Sequence, residues 1–166
     1  ENWKRSKKEV DYLMKLAEEM IKNYEDTAKK EKIRIRVIGQ KERLPKSLQR
    51  EIEKVENSTK NNKRMTVNFA LSYGGRSEIV EVIKKIIEKK IPLEKINEKT
   101  ISQNLWTTDL DLLIRTGKEK RLSNFLLWQS AYSELYFSSK YWPDFTEKDL
   151  EKALNDYYSR QRRFGK

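Results

Sequence analysis

Residues 65–87, MTVNFALSYGGRSEIVEVIKKII, settle the fold class. Met65 to Leu71 is a near-continuous apolar run, the pattern of a parallel strand covered on both faces. Ser72-Tyr73-Gly74-Gly75-Arg76-Ser77-Glu78 interrupts it with two glycines, and Ile79, Val82, Ile83, Ile86 and Ile87 then recur at helical spacing. Strand, glycine turn and helix in that order form the repeating piece of an α/β fold. The free N–H groups of such a helix start are a potential anion site, although turns of this kind are also ordinary connections.

The same grammar runs outward in both directions. Ile33-Arg34-Ile35-Arg36-Val37-Ile38 alternates and stops at Gly39, as a strand does. Pro45 opens a helix with Leu48, Ile52 and Val55 on one side. Upstream, Ser6 with Glu9 has the capping-box spacing, and Val10, Leu13, Met14, Ala17, Met20 and Ile21 predict a helix from about Ser6 to Lys30. Downstream, Pro92 ends the Ile79–Ile87 helix, and a short helix is expected from Thr100 to about Trp106. Leu112-Leu113-Ile114 reads as a short buried strand that delivers Arg115 at its C-terminal end. A last helix begins near Thr146, whose hydroxyl can cap it, and runs to the basic tail Arg160, Arg162 and Arg163. The expected fold is α/β, a mostly parallel central sheet flanked by helices, in one domain spanning residues 1–166. Ligands of open α/β sheets bind beyond the carboxyl ends of strands, which points to Arg115.

Composition narrows the chemistry. A chain of 166 residues can bury a real core. It has no apolar run of the ~18 residues a membrane-spanning helix needs. With neither cysteine nor histidine, disulfides and zinc-type sites drop out, and any metal would be a hard cation on oxygen ligands. The net charge of +11 invites a nucleic-acid reading. Lysine and glutamate are interleaved, however, as in Lys84-Lys85-Ile86-Ile87-Glu88-Lys89-Lys90, the habit of solvated helix faces. No nucleic-acid partner is expected; the excess charge suits phosphorylated substrates or an anionic membrane surface.

Residues 111–137, DLLIRTGKEKRLSNFLLWQSAYSELYF, carry the chemistry. Arg115 and Arg121 lie six residues apart across a loop containing Gly117, so both can reach one pyrophosphate. Arginine suits that task, because its planar fork pairs bidentately with phosphate oxygens and keeps its charge. Ser123 adds a hydroxyl donor. Aromatic and apolar neighbours, Phe125 to Trp128, suit a greasy tail beside the anionic head.

This stretch resembles the C-terminal signature of the cis-prenyltransferases, the undecaprenyl diphosphate synthase family. That signature reads roughly D-L-x-I-R-T-x-G-E-x-R-x-S-N-F-L-x-W-Q-x-x-Y-x-E-x-x-F. Asp111-Leu112, Ile114-Arg115-Thr116, Glu119, Arg121, Ser123-Asn124-Phe125-Leu126, Trp128-Gln129, Tyr132, Glu134 and Phe137 fall in register with it. Glu1-Asn2-Trp3-Lys4-Arg5, Tyr73-Gly74-Gly75-Arg76, Trp142-Pro143-Asp144-Phe145 and Arg163-Phe164-Gly165 are similar to the family's E-N-W-x-R, Y-G-G-R, W-P-D-F and R-x-G elements.

The resemblance implies a Mg²⁺-dependent transferase that condenses isopentenyl diphosphate onto an allylic diphosphate such as farnesyl diphosphate. Its undecaprenyl-type product would supply lipid carrier for cell-wall synthesis. It implies that Arg115, Arg121, Ser123 and the backbone around Leu122 hold isopentenyl diphosphate, and that Glu134 is the magnesium-side carboxylate. Asn2 falls on the proposed proton acceptor, and Glu1, Trp3 and Arg5 on substrate-binding positions. A homodimer is implied, with Arg163 and Gly165 reaching the partner's diphosphate site. The expected location is cytoplasmic, with peripheral association at the inner face of the membrane. Part of the apolar stripe on the Ser6–Lys30 helix is expected to line the prenyl tunnel.

The family's M-D-G-N-x-R-W-A segment, with its catalytic aspartate, does not occur in residues 1–166. The expectation is a chain that lacks that segment and is inactive without it. A non-catalytic partner subunit of the same fold is the alternative. Three positions depart from the family pattern: Lys118 where glycine is preferred, the direct Leu110-Asp111 junction, and Lys120 at a position often polar or histidine.

Overall fold

A computed structural model describes residue 3 and residues 5–161. Residues 1–74 and 75–166 form two compact units.

In the first unit, α1 (Lys7–Lys30) leads into β1 (Ile33–Ile38), α2 (Lys46–Thr59) and β2 (Met65–Ala70). Ser6 caps α1 by accepting from the Glu9 N–H at 3.4 Å. The Glu9 carboxylate, expected to complete a capping box, pairs with Arg5. Pro45 stands at the N-cap of α2, where its missing N–H costs nothing. β1 and β2 are parallel, in register from Ile33 opposite Met65 to Ile38 opposite Ala70.

The alternation in β1 turns Ile35 and Val37 into a core with Ile21, Ala28, Leu44, Leu48, Ile52 and Val55. Side chains of α2 satisfy N–H groups of β1: Ile35 donates to Thr59 Oγ1 at 3.1 Å and Val37 to Glu56 Oε1 at 2.7 Å. A buried Thr59 is thereby explained. Asn62 ties the layers, donating to the carbonyls of Ala28 at 3.1 Å and Ile33 at 2.8 Å. Gly39 follows β1 at φ +120°, and a Cβ there would lie 2.1 Å from the Leu71 carbonyl oxygen, so only glycine fits.

β2 departs from expectation. Met65, Thr66 and Ala70 are exposed, so the strand is not covered on both faces within its unit. Thr66 and Asn68 make MTVNFA an alternating strand, and Phe69 and Leu71 are the residues that pack on the core.

The second unit comprises α3 (Gly75–Glu88), α4 (Glu98–Asn104), β3 (Leu112–Arg115), β4 (Glu134–Phe137) and α5 (Glu147–Ser159). α3 is less buried than its spacing predicts. Val82 and Ile86 are in the core, whereas Ile83 and Ile87 are exposed. α4 starts at Asn97, whose side chain accepts from the Thr100 N–H at 3.0 Å. At α5, Asp149 accepts from the Thr146 N–H at 2.9 Å, from the Thr146 hydroxyl at 2.7 Å and from Lys140 Nζ at 2.8 Å. The Lys140 contact and these bonds hold the Asp149 carboxyl well below its usual range.

β3 and β4 pair in parallel, from Leu112 opposite Glu134 to Arg115 opposite Phe137. Their connection, residues 116–133, is a series of turns rather than the helix usual in such crossovers. The parallel layers expected from sequence are therefore present as two strand pairs, β1–β2 and β3–β4.

Candidate active site

Arg115 is the last residue of β3, and the turn-rich segment after it folds back over that strand end. Its guanidinium donates to Ser123 Oγ at 2.9 Å and to the Arg121 carbonyl oxygen. Arg115, Thr116, Arg121, Leu122, Ser123 and Phe125 share an open depression of about 320 Å³ with Leu113 and Ile114. The four residues expected to grip a diphosphate are thus brought together. Its lining sets two arginines beside Leu113, Ile114, Leu122 and Phe125, and because the depression is open, an anionic head can meet the arginines without burying its charge.

Arg121 is not idle in this geometry. Its guanidinium pairs with Glu119, both side chains being half or more exposed. An exposed pair of that kind is weak, about 0–1 kcal/mol, and a diphosphate with more charge can displace it.

The backbone of the loop is unusual. Gly117, Lys118, Ser123, Asn124 and Leu126 all have positive φ, between +44° and +96°. For a side chain such as that of Leu126 this region costs about 1–2 kcal/mol. Lys118, at φ +64°, takes a left-handed conformation that glycine adopts most readily, and its ammonium lies 5.8 Å from the Tyr141 ring centre.

What offsets the cost is the start of α3. The Asn124 carbonyl accepts from the Gly75 N–H at 2.7 Å, and Asn124 Oδ1 from the Arg76 N–H at 2.9 Å. Two amides of this helix start are therefore capped by Asn124, in keeping with an ordinary connection, the other reading its sequence left open. Farther along, Gln129 Nε2 donates to Glu78 Oε2 at 3.0 Å, and Glu78 Oε1 accepts from the Trp106 N–H at 2.7 Å.

Glu134 is placed elsewhere. It begins β4, opposite Leu112, whereas Arg115 ends β3. Three residues of strand, roughly 10 Å, separate the two levels. One Glu134 oxygen accepts from Arg160 at 2.6 Å, and Arg160 also pairs with Asp156 at 2.5 Å. The Glu134 bond, then the Asp156 bond, raises the Arg160 pKa further. No cluster of three or more acidic side chains suited to a metal occurs among the described residues. Glu134 still offers one carboxylate, which fits Mg²⁺, an ion that commonly takes one or two carboxylates and completes its shell with phosphate oxygens and water.

Trp3 and Arg5 belong to the first unit. Trp3 Nε1 donates to Ser72 Oγ at 3.2 Å, and the Arg43 guanidinium stands 5.0 Å from the Trp3 ring centre. Arg5 is engaged with Glu9. Glu1, Asn2, Arg163 and Gly165, all expected in the site, lie outside the described residues.

The family is decided by comparison with known proteins. A model of the family described as putative undecaprenyl diphosphate synthase matches residues 1–165. The chain belongs to this prenyltransferase family. It is 48% identical over 172 residues to the isoprenyl transferase of Bacillus thuringiensis subsp. konkukian, covering 99% of this chain and 67% of the relative. It is 50% identical over 167 residues to that of Fusobacterium nucleatum, covering 99% and 72%. A probable undecaprenyl diphosphate synthase from Campylobacter jejuni superposes with a TM-score of 0.93 at 40% identity, covering 99% of this chain and 78% of that one. The chain thus spans about two thirds to three quarters of these prenyltransferases.

Sequence reasoning missed three participants. In the sequence Arg160 is only part of a basic tail, yet it holds Glu134. In the sequence Asn124 is only one member of the signature, yet it caps α3. β4 itself, four residues of mixed polarity, carries too short a pattern to be recognised.

Proposed function

We propose that this chain holds the isopentenyl diphosphate grip of a cis-polyprenyl diphosphate synthase, which extends an allylic primer such as farnesyl diphosphate to an undecaprenyl-type product. The observation that carries this reading is the convergence of Arg115, Arg121 and Ser123 on one depression at the carboxyl end of β3.

In the condensation the allylic C–O bond breaks and its diphosphate leaves. A C–C bond forms to the terminal alkene carbon of isopentenyl diphosphate, which then loses a proton. Arg115 and Arg121 would neutralise and orient the isopentenyl diphosphate head, fixing the alkene rather than activating it. Ser123 Oγ, already held by Arg115, adds a donor to the same oxygens. Asn2 would orient the alkene or a water, since an amide is a weak base. Mg²⁺ is the proposed cofactor; it supplies charge neutralisation at a diphosphate, with Glu134 as a protein ligand.

Support for a lipid tail comes from α1. Its core side carries Ile21 and Ala28, while Tyr12, Leu16, Met20 and Tyr24, spaced four apart, are exposed. Each five-carbon unit laid on such a stripe would contribute roughly 3–4 kcal/mol. No helix among the described residues is long and apolar enough to cross a membrane. The proposed setting is the cytoplasm, with peripheral contact at the membrane that receives the product for cell-wall synthesis.

The test is turnover. The intact protein with farnesyl diphosphate, isopentenyl diphosphate and Mg²⁺ is expected to form long-chain polyprenyl diphosphates, and an inert intact protein would sink the reading. The proposed homodimer has its own check: deleting residues 163–166 should depress turnover without lowering the melting temperature.

A further inference from the structure

We propose that Asn124 is a positioning residue for isopentenyl diphosphate, a role that rests on the function proposed above. By capping the first turn of α3 it holds the left-handed backbone that presents Ser123 and the Arg121 carbonyl to Arg115.

Ser123, Asn124 and Leu126 stand at φ +48°, +63° and +44°, a cluster of backbone strain beside the depression. Strain of this kind persists only when its surroundings over-determine it. Here the first turn of α3 supplies three restraints. Asn124 receives the Gly75 and Arg76 amides through its carbonyl and Oδ1. Gly75 lets Leu127 approach so closely that a Cβ would lie 2.8 Å from Leu127 Cγ. Gln129, 1% exposed, donates to Glu78, also 1% exposed.

On its other side the loop meets the substrate-gripping groups. Arg115 takes its orientation from Ser123 Oγ and the Arg121 carbonyl. A loop that relaxed away from positive φ would therefore carry off two partners of Arg115 together. Asn124 itself does not line the depression, so its effect runs through the loop.

The experiment uses the intact protein and compares wild type with Asn124→Gly, Asn124→Ser and Gln129→Met. Glycine keeps the left-handed backbone and loses the Oδ1 acceptor; serine keeps an acceptor. Asn124→Gly is expected to raise the KM for isopentenyl diphosphate by up to about tenfold, the upper range for losing one hydrogen bond. The KM for the allylic diphosphate should stay near that of wild type, and Asn124→Ser should recover most of the loss. Gln129→Met loosens the far end of the same clamp and should shift the same KM, which keeps the test open should the glycine variant not fold. Folded variants with wild-type KM for isopentenyl diphosphate, or with both KM values raised equally, would overturn the inference. A wild-type protein that does not turn over isopentenyl diphosphate would instead remove the proposed function.

Discussion

Replacing Glu25 with glutamine tests the ion-pair cluster that joins α1 to α2. Glu25 is 7% exposed. Its Oε1 lies 2.7 Å from Lys29 Nζ and accepts from the Ser58 hydroxyl at 3.0 Å, and its Oε2 lies 3.0 Å from Lys54 Nζ. The Lys29 bond first, then Lys54, lowers the carboxyl from 4.5 to about 2. Taken whole, a drop of that size is worth about 3 kcal/mol. The lysine side chains are 46% and 63% exposed, so water and salt screen them and about 1–2 kcal/mol is the expected contribution. Because the folded value lies below the unfolded one, the contribution is complete above about pH 4.5 and drains away as the pH falls towards 2. Glutamine carries no charge at any pH. Urea denaturation followed by circular dichroism should therefore show Glu25→Gln less stable by about 1–2 kcal/mol near neutral pH. The gap should narrow steadily in acid and shrink in molar salt. A gap of equal size at neutral pH and near pH 2 would refute the electrostatic account and leave shape as the cause.

Other perturbations probe the site and its frame. Arg121→Ala should weaken isopentenyl diphosphate binding by roughly 10–100-fold, the range for a charge-assisted hydrogen bond, while Lys118→Ala changes it little; calorimetric titration separates them, and equal effects would contradict the site. Arg160→Met leaves the carboxylates of Glu134 and Asp156 without their shared cation, so the melting temperature should fall, and Glu134→Gln in the same background should restore part of it. Gly39→Ala drives a methyl into the Leu71 carbonyl at a positive φ and should cost at least about 2 kcal/mol in thermal or urea unfolding.

The elements that were legible share a cause: each advertises itself within a few residues. Ile33–Ile38 alternates and ends at a glycine, and Ser6, Pro45 and Thr146 mark three helix starts where the chain places them. β2 misled because its apolar content was read without its alternation. α3 misled because an isoleucine at helical spacing records which side it occupies, not whether anything covers that side.

The residue types of the proposed site, Arg115, Arg121, Ser123 and Glu134, belong to local chemistry, and their order along the chain is enough to make them candidates. Their grouping was not. Arg115 meets Ser123 because a loop of left-handed residues turns back on its strand, and that loop is held by amides of a helix almost fifty residues earlier. Glu134 falls to the other end of the strand pair because parallel pairing sets it opposite Leu112. Spacing along a chain constrains which neighbours are possible; which of them meet depends on hydrogen bonds between distant segments, and those exist only once the chain has folded.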